Sequence, residues 1–195
     1  MTEPVNDTPP RRWIHWLVTA MVFVALYAWM TRGNASPLMG QPAPDLTLAI
    51  AAGAQPGSPT KVTLSDMGGQ VVVLDFWASW CGACRRTIPI LNDLNDEFAG
   101  KGVAFYAVNV EPIDRQRLQA AHAAFGTEFP TLHDRAGTVQ RRYAIRSLPT
   151  VMVVGPDGVV RWASTGVPSK IRLRGAISEA LNWPESAVVD ALGPR

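Results

Sequence analysis

We predict an α/β domain with a mixed central sheet and helices on both faces, preceded by one N-terminal transmembrane helix. The 195-residue chain is 47% hydrophobic and 17% charged, which supplies enough apolar surface for a sizeable core and argues against disorder. Short β-branched runs alternate with segments whose apolar residues recur at helical spacing. The first thirty residues contain a long, uncharged and mostly apolar run.

Composition excludes several functional classes. The formal net charge of +2 gives no argument for a nucleic-acid groove or another polyanionic partner. The 2 cysteines are too few for a disulfide-dense scaffold and cannot by themselves complete a four-cysteine zinc site. The 16 glycines and 16 prolines follow no period, which excludes collagen-like and repeat architectures.

The N-terminal run predicts a transmembrane anchor over residues 13–31, where no formally charged side chain occurs. A helix of about 19 residues rises about 28 Å, close to the roughly 30 Å of the hydrocarbon layer. Trp13 and Trp16 lie at one end of the run, and Tyr27 and Trp29 lie at the other. Aromatic rings at both ends are typical of the two headgroup layers.

Charge around this run predicts its orientation. Residues 1–12 form a polar tail that ends in two arginines, whereas only Arg32 follows the run before Lys61. This bias predicts a cytoplasmic N-terminal tail and a single-pass protein of the inner membrane, with its C-terminal domain in the periplasm or outside a Gram-positive cell. A cleaved signal peptide is the alternative, because residues 33–35 are small, but the apolar run exceeds the roughly 7–15 residues usual in such signals.

The body of the chain is predicted to be one domain over residues 45–183, between a linker at 32–44 and a peripheral tail at 184–195. Strands are predicted at residues 45–50, 61–64, 70–76, 103–110, 129–132, 150–154 and 159–162. Helices are predicted from residue 81 to the glycine at 100, and at residues 114–125, 139–143 and 169–181.

Three local signals support these assignments. The run at 70–76 is almost continuous in apolar and β-branched residues, as in a strand buried on both faces. Asp114 can cap the helix that follows it, and Gly126 can end that helix. Residues 155–158 read Gly-Pro-Asp-Gly, a strong turn sequence that joins the last two strands into a hairpin.

The segment that carries chemistry is Cys81-Gly82-Ala83-Cys84, at the junction between a strand and a helix. Free N–H groups and the dipole at a helix N-terminus stabilise a thiolate, so we expect a lowered pKa for Cys81. Cys84 lies about one turn further in and is shielded. An exposed Cys81 thiolate can therefore form a mixed disulfide that Cys84 resolves.

Other readings of the two cysteines fit less well. A zinc site needs a second ligand pair, but His15, His122 and His133 are scattered singly. A haem-attachment motif needs histidine directly after the second cysteine, and Arg85 stands there. A merely structural disulfide stays open, although such bridges stabilise most when they close longer loops.

Residues 71–84 (VVVLDFWASWCGAC) resemble the thioredoxin superfamily, and specifically its membrane-tethered TlpA/ResA-like branch. The resemblance covers about residues 40–181 and implies a thioredoxin-like fold. Further segments similar to this branch are residues 40–46 (GQPAPDL), 64–69 (LSDMGG), 105–110 (FYAVNV) and 129–134 (FPTLHD).

The resemblance implies roles for individual residues. Cys81 matches the attacking thiol and Cys84 the resolving one. The loop at 147–150 matches one in which Pro149 follows a cis bond and packs against the dithiol, and its preceding residue can pair with a substrate strand. Candidate substrate contacts are Trp80, Gly82, Ala83, Leu148 and Pro149, whereas Trp77 is expected in the core.

Asp75 is the third candidate catalytic residue. A carboxylate within such an apolar strand should be buried, and its pKa should be raised. It stands where thioredoxin carries the acid that exchanges a proton with the resolving thiol. Many members of the tethered branch instead have asparagine there and a glutamate three positions after the second cysteine, where this chain has Thr87. An aspartate satisfied by a local hydrogen bond is the alternative.

The implied function is reduction of protein disulfides without a cofactor or metal. Implied clients are apocytochrome c or copper-site proteins, and the implied donor is a DsbD/CcdA-type membrane protein. A disulfide oxidant or isomerase is the alternative within the same chemistry, and a copper-carrying chaperone is a more distant one. A peroxidase shares the fold, but the chain lacks the threonine–cysteine motif of the peroxidatic site.

Overall fold

The computed structural model describes residues 12–31, 36–55 and 57–183. Most of the predicted cytoplasmic tail (residues 1–11), the small residues at 33–35 and the predicted C-terminal tail (184–195) lie outside the described residues. The chain divides into two compact units, Met1–Ala35 and Ser36–Arg195, which are considered separately.

The first unit contains helix α1 (Arg12–Thr31), whose bounds agree closely with the predicted anchor. Within the part of the chain that the structure describes, no helix combines the length and the apolar character needed to cross a membrane. The transmembrane assignment at residues 13–31 is therefore not confirmed and stays a prediction.

The second unit is built from a mixed sheet and four helices among its described residues. Its strands are β1 (Thr47–Ala52), β2 (Lys61–Thr63), β3 (Val71–Trp77), β4 (Val103–Asn109), β5 (Thr131–His133), β6 (Thr150–Val154) and β7 (Val160–Thr165). Its helices are α2 (Gly82–Glu97), α3 (Arg115–Phe125), α4 (Thr138–Arg142) and α5 (Lys170–Leu181), and a short 3-10 turn follows β2 at Leu64–Met67.

The strands lie in the order β2-β1-β5-β4-β3-β6-β7. β3, β4 and β5 run parallel to one another, and the other neighbouring strands pair antiparallel. The carboxyl ends of β3 and β4 therefore meet at one edge of the sheet, where Trp77 pairs in register with Asn109. The predicted mixed sheet is confirmed.

β3 is buried on both faces, as its apolar run predicts. Because side chains alternate along a strand, its odd-numbered and even-numbered residues contribute to two different core clusters. The first cluster packs the β3 side chains of Val71, Val73 and Trp77 against the apolar faces of α2 and α5. The second packs Val72, Leu74 and Phe76 against α4 and the side chain of Tyr143. Helices thus cover both faces of the sheet.

The predicted helix boundaries at α3 are confirmed by its caps. The Asp114 side chain accepts a hydrogen bond from the Arg117 N–H at 2.8 Å. Gly126 ends the helix in the left-handed region with φ of 66°, a conformation that favours glycine.

Some boundaries differ from the sequence prediction. β1 ends at Ala52 rather than at residue 50, because Ala51 and Ala52 are buried against Leu118 of α3. β7 continues to Thr165, which pairs with Thr150 of β6. The second half of the predicted linker joins the domain, since the Gly40 N–H donates to the Val160 carbonyl at 2.9 Å.

Candidate active site

The two cysteines lie where β3 passes into α2. After Trp77 the chain makes a turn over residues 78–81, which the Cys81 N–H closes by donating to the Ala78 carbonyl at 3.1 Å. Cys81 is the N-cap of α2, and helical geometry begins at Gly82. The parallel strand thus delivers the dithiol to the carboxyl edge of the sheet, where α/β folds generally place their sites.

Cys81 and Cys84 form a disulfide, with their Cα atoms 5.2 Å apart. The Cys84 N–H donates a hydrogen bond to the Cys81 Sγ at 3.1 Å, so this sulfur is in direct contact with an amide in the first turn of α2. Cys81 exposes 5% of its surface and Cys84 exposes none. The predicted exposure of Cys81 is not observed. In the oxidised structure the residue is largely covered, because it packs in the same core cluster as Trp77 and Ile88.

The loop at residues 147–150 lies beside the dithiol. The Leu148–Pro149 bond is cis, as the resemblance implies. Leu148 is half-buried and packs against the cluster that contains both cysteines. Within residues 36–55 and 57–183 its backbone N–H and carbonyl make no hydrogen bond, whereas the Pro149 carbonyl accepts one from the Gly166 N–H at 2.8 Å. Leu148 thus offers free backbone groups next to the disulfide, as pairing with an extended chain requires.

Asp75 is buried within β3, the strand that leads into the turn before Cys81. It exposes 1% of its surface, and neither carboxylate oxygen has a hydrogen-bond partner among the described residues. Burial alone raises its pKa from 3.8 to about 7. This environment contradicts the alternative of a locally hydrogen-bonded aspartate. Because side chains alternate along a strand, Asp75 lies on the same face of β3 as Val73 and Trp77. Cys84 packs in the cluster on that face.

The remaining candidates divide between surface and core. Trp80 is 73% exposed and forms, with Leu148 and Arg146, part of the wall of a cleft of about 280 Å³. Gly82 is exposed and Ala83 is half-buried on the first turn of α2. Trp77 is fully buried, and its ring packs against Phe125 with centroids 5.1 Å apart, as expected for a core residue.

Thr87 occupies the position where many relatives in the tethered branch carry a glutamate. It is fully buried, and its hydroxyl donates to the Ala83 carbonyl at 3.4 Å. It supplies no ionisable group to the dithiol. Asp75 is a buried acid on the same face of β3 as the dithiol cluster.

Glu111 is a site residue that the sequence analysis missed. It follows β4, is 8% exposed, and lines the same cleft as Trp80. Its carboxylate accepts hydrogen bonds from the Ser79 N–H at 2.5 Å and from the Ser79 hydroxyl at 3.0 Å. A signal was present in the sequence, since a polar residue at the end of one parallel strand lies near the end of the next.

No group of three or more His, Cys, Asp or Glu side chains that could hold a metal occurs among the described residues. The arrangement of an N-capping cysteine, a covered second cysteine, a buried acid and an open backbone loop suits thiol–disulfide exchange.

Known proteins agree with this chemistry. The AhpC/TSA family profile matches residues 39–163. The thiol-disulfide oxidoreductase ResA of Oceanobacillus iheyensis is 32% identical over 163 residues, which cover 84% of this chain and 83% of that protein. The thioredoxin-like protein YneN of Bacillus subtilis is 31% identical over 147 residues, which cover 74% of this chain and 82% of that protein.

A solved structure shows the same fold. The crystal structure of a Chlorobium tepidum protein named as a thiol:disulfide interchange protein, DsbE, matches with a TM-score of 0.65 and 32% identity. The match covers 74% of this chain and 98% of the Chlorobium tepidum chain. Together with the dithiol at the start of α2, these similarities show that the chain is a thiol–disulfide oxidoreductase with a thioredoxin-like fold and belongs to the AhpC/TSA family.

Proposed function

We propose that this protein is a membrane-anchored reductase of protein disulfides that acts in the periplasm. The observation that carries the proposal is the N-cap position of Cys81, whose sulfur receives the Cys84 N–H at 3.1 Å. In the reduced protein the same amide and the dipole of α2 stabilise a Cys81 thiolate, which is the attacking species in exchange.

The reaction consists of two exchanges. The Cys81 thiolate attacks a client disulfide, forms a mixed disulfide, and displaces one client thiolate. The Cys84 thiolate then attacks the Cys81 sulfur, restores the internal disulfide, and releases the second client thiolate. Two electrons pass to the client, whose two thiolates take up protons. A dithiol donor, for which a DsbD/CcdA-type membrane protein is our proposal, returns two electrons to the Cys81–Cys84 disulfide.

Asp75 is proposed to assist the second exchange. Cys84 must lose its proton before it attacks, and it is fully buried. A carboxylate on the same face of β3 with a pKa near 7 can accept that proton at neutral pH and return it when the disulfide is reduced again.

The client is proposed to bind along Leu148 and Pro149 as an extended segment. Leu148 has free backbone groups in the described part of the domain, and the exposed Trp80 lines the same cleft. Gly82, which is exposed, and Ala83, which is half-buried, lie between the two cysteines on the first turn of α2 and are proposed as further client contacts. The proposed clients are apocytochrome c or copper-site proteins.

Membrane attachment is proposed from the uncharged run at residues 13–31, where α1 forms. Tethering raises the effective concentration of the domain near membrane-bound clients and donors without any additional contact. Membrane fractionation of cells that express the full chain tests this part. Extraction by detergent but not by high salt is expected, and release by salt alone would contradict it.

Trapping with Cys84→Ser tests the function directly. This variant should accumulate mixed disulfides through Cys81, and mass spectrometry should identify periplasmic proteins in them. Cys81→Ser serves as the matched control and should trap nothing. Equal trapping by the two variants would overturn the assigned roles, and capture of cytoplasmic proteins alone would overturn the proposed compartment.

The reduction potential decides the direction of exchange. A potential well below about −200 mV supports the reductase, whereas a value near about −120 mV would mark an oxidant. Stoichiometric Cu(I) binding without disulfide reduction would instead identify a copper carrier.

A further inference from the structure

Glu111 is a buried acid that the proton transfer described above does not use. It exposes 8% of its surface, and its carboxylate accepts three hydrogen bonds. Two come from Ser79, and the third comes from the Asn109 side-chain amide at 3.3 Å. A carboxylate taken out of water requires such donors, so the position has a definite set of partners.

The partner Ser79 lies inside the turn that presents Cys81. The Cys81 N–H closes this turn on the Ala78 carbonyl, so Ser79 and Trp80 are its two central residues. The Ser79 N–H points out of the turn toward Glu111 at 2.5 Å. The carboxylate therefore satisfies a backbone donor that the turn itself leaves unpaired.

Glu111 is itself held in place from three directions. Its N–H donates to the Asn109 side-chain oxygen at 3.1 Å, and its carbonyl oxygen lies 3.0 Å from His133 Nε2. The preceding N–H, of Val110, donates to the Trp77 carbonyl at 3.2 Å. The carboxylate thus connects the turn to the fixed ends of β4 and β5.

We propose that Glu111 is a positioning residue for thiol–disulfide exchange, whose carboxylate holds the turn at residues 78–81 so that Cys81 caps α2. Its contribution is geometric: it acts through Ser79 and touches neither sulfur. Small displacements of a reacting group lower its reactivity strongly, so a loosened turn should weaken the amide contact to the Cys81 sulfur and raise the pKa of that thiol.

Two substitutions in the full-length protein separate geometry from charge. Glu111→Asp keeps the negative charge, but its carboxylate is one methylene shorter and cannot reach Ser79 with the same geometry. Glu111→Gln removes the charge but keeps the length, and its amide can still accept from the Ser79 N–H and donate to the Ser79 hydroxyl. Glu97→Asp is the control, because Glu97 pairs with Arg174 at the far end of α2.

The measurement is the rate of Cys81 alkylation by iodoacetamide from pH 4 to 9, after reduction. We expect Glu111→Asp to slow alkylation at pH 6.5 about threefold and to move the profile to higher pH, while Glu111→Gln stays within about 1.5-fold of wild type. Glu97→Asp should leave the profile unchanged. The readout needs neither client nor donor, so it is independent of the proposed reductive direction.

Two results would overturn the proposal. If Glu111→Gln changes Cys81 reactivity more than Glu111→Asp does, the charge of Glu111 is what acts on the thiol. If both variants lower the melting temperature but leave the alkylation profile unchanged, Glu111 supports only the fold.

Discussion

Asp75 is an ionisable residue held inside an apolar strand. Its carboxyl is fully buried and has no hydrogen-bond partner within residues 12–31, 36–55 and 57–183, and burial raises its pKa to about 7. The folded state therefore binds this proton more tightly than the unfolded chain does, so ionisation opposes folding. The contribution of Asp75 to the free energy of unfolding is therefore fully present below about pH 4, and it is lost as the pH rises through about 7.

Asp75→Asn should remove this pH dependence. We expect the oxidised variant to exceed wild type in free energy of unfolding at pH 8.5, by at most about 4 kcal/mol, with a much smaller difference at pH 4. Urea unfolding at the two pH values measures it. Parallel stability profiles for the two proteins would show that Asp75 does not titrate in this range.

The same substitution should slow one step of exchange. Without a proton acceptor near Cys84, the mixed disulfide should persist longer at pH 7, while the initial attack by Cys81 keeps its rate. Quenched-flow trapping of the mixed disulfide separates the two steps. Slowing confined to the initial attack would place the role of Asp75 at Cys81 instead.

Trp77 and Trp80 offer a matched pair with opposite environments. Trp80→Ala should raise the KM for a protein client with little change in stability, because this residue is 73% exposed and lines the cleft. Trp77→Ala should lower the free energy of unfolding by about 3–5 kcal/mol, because a fully buried ring is lost. Client kinetics and denaturant unfolding distinguish them, and a stability loss at Trp80 equal to that at Trp77 would contradict the assignment.

At the scale of elements, α2 and α3 show two ways in which a helix end is used. α3 begins at a carboxylate cap and ends at a left-handed glycine, both of which are local and stabilising. α2 begins at a cysteine whose sulfur takes the place of such a cap. In the reduced protein we expect the capping interaction that stabilises an ordinary helix to stabilise a Cys81 thiolate.

Two glycines test the element assignments. Gly126→Ala should destabilise the protein by about 1 kcal/mol, because alanine is strained at a φ of 66°. Gly175→Ala, inside α5 with nothing within 4 Å of the added Cβ, should stabilise it by about 0.5–1 kcal/mol. Chemical denaturation measures the change in the free energy of unfolding of each variant. Destabilisation by both variants would contradict the assigned backbone geometry.

Local patterns predicted the elements that carry their own signals. The apolar run of β3, the caps of α3 and the turn between β6 and β7 were all recognisable, since each depends on residues adjacent in the chain. The extension of β1 to Ala52 was not, because it depends on packing against α3, which lies more than sixty residues later. Boundaries that depend on distant packing have no local signal.

At the scale of the whole molecule, the sheet assembles the site from segments far apart in sequence. The dithiol, its buried acid and the cis-proline loop were predicted, since each has a recognisable motif. The link between Glu111 and Ser79 was missed, because these residues are 32 positions apart and meet only through the parallel pairing of β3 and β4. The position of Glu111 just after β4 indicates that it lies near the end of β3, but it does not identify Ser79 as its partner.

The direct test of the central claim is the pH dependence of Cys81 alkylation in the reduced, full-length wild-type protein. An ordinary cysteine has a pKa of about 8.5. If the start of α2 stabilises the thiolate, Cys81 should reach half-maximal reactivity at a pH well below that value. Reactivity at mildly acidic pH no greater than that of free cysteine would contradict the account.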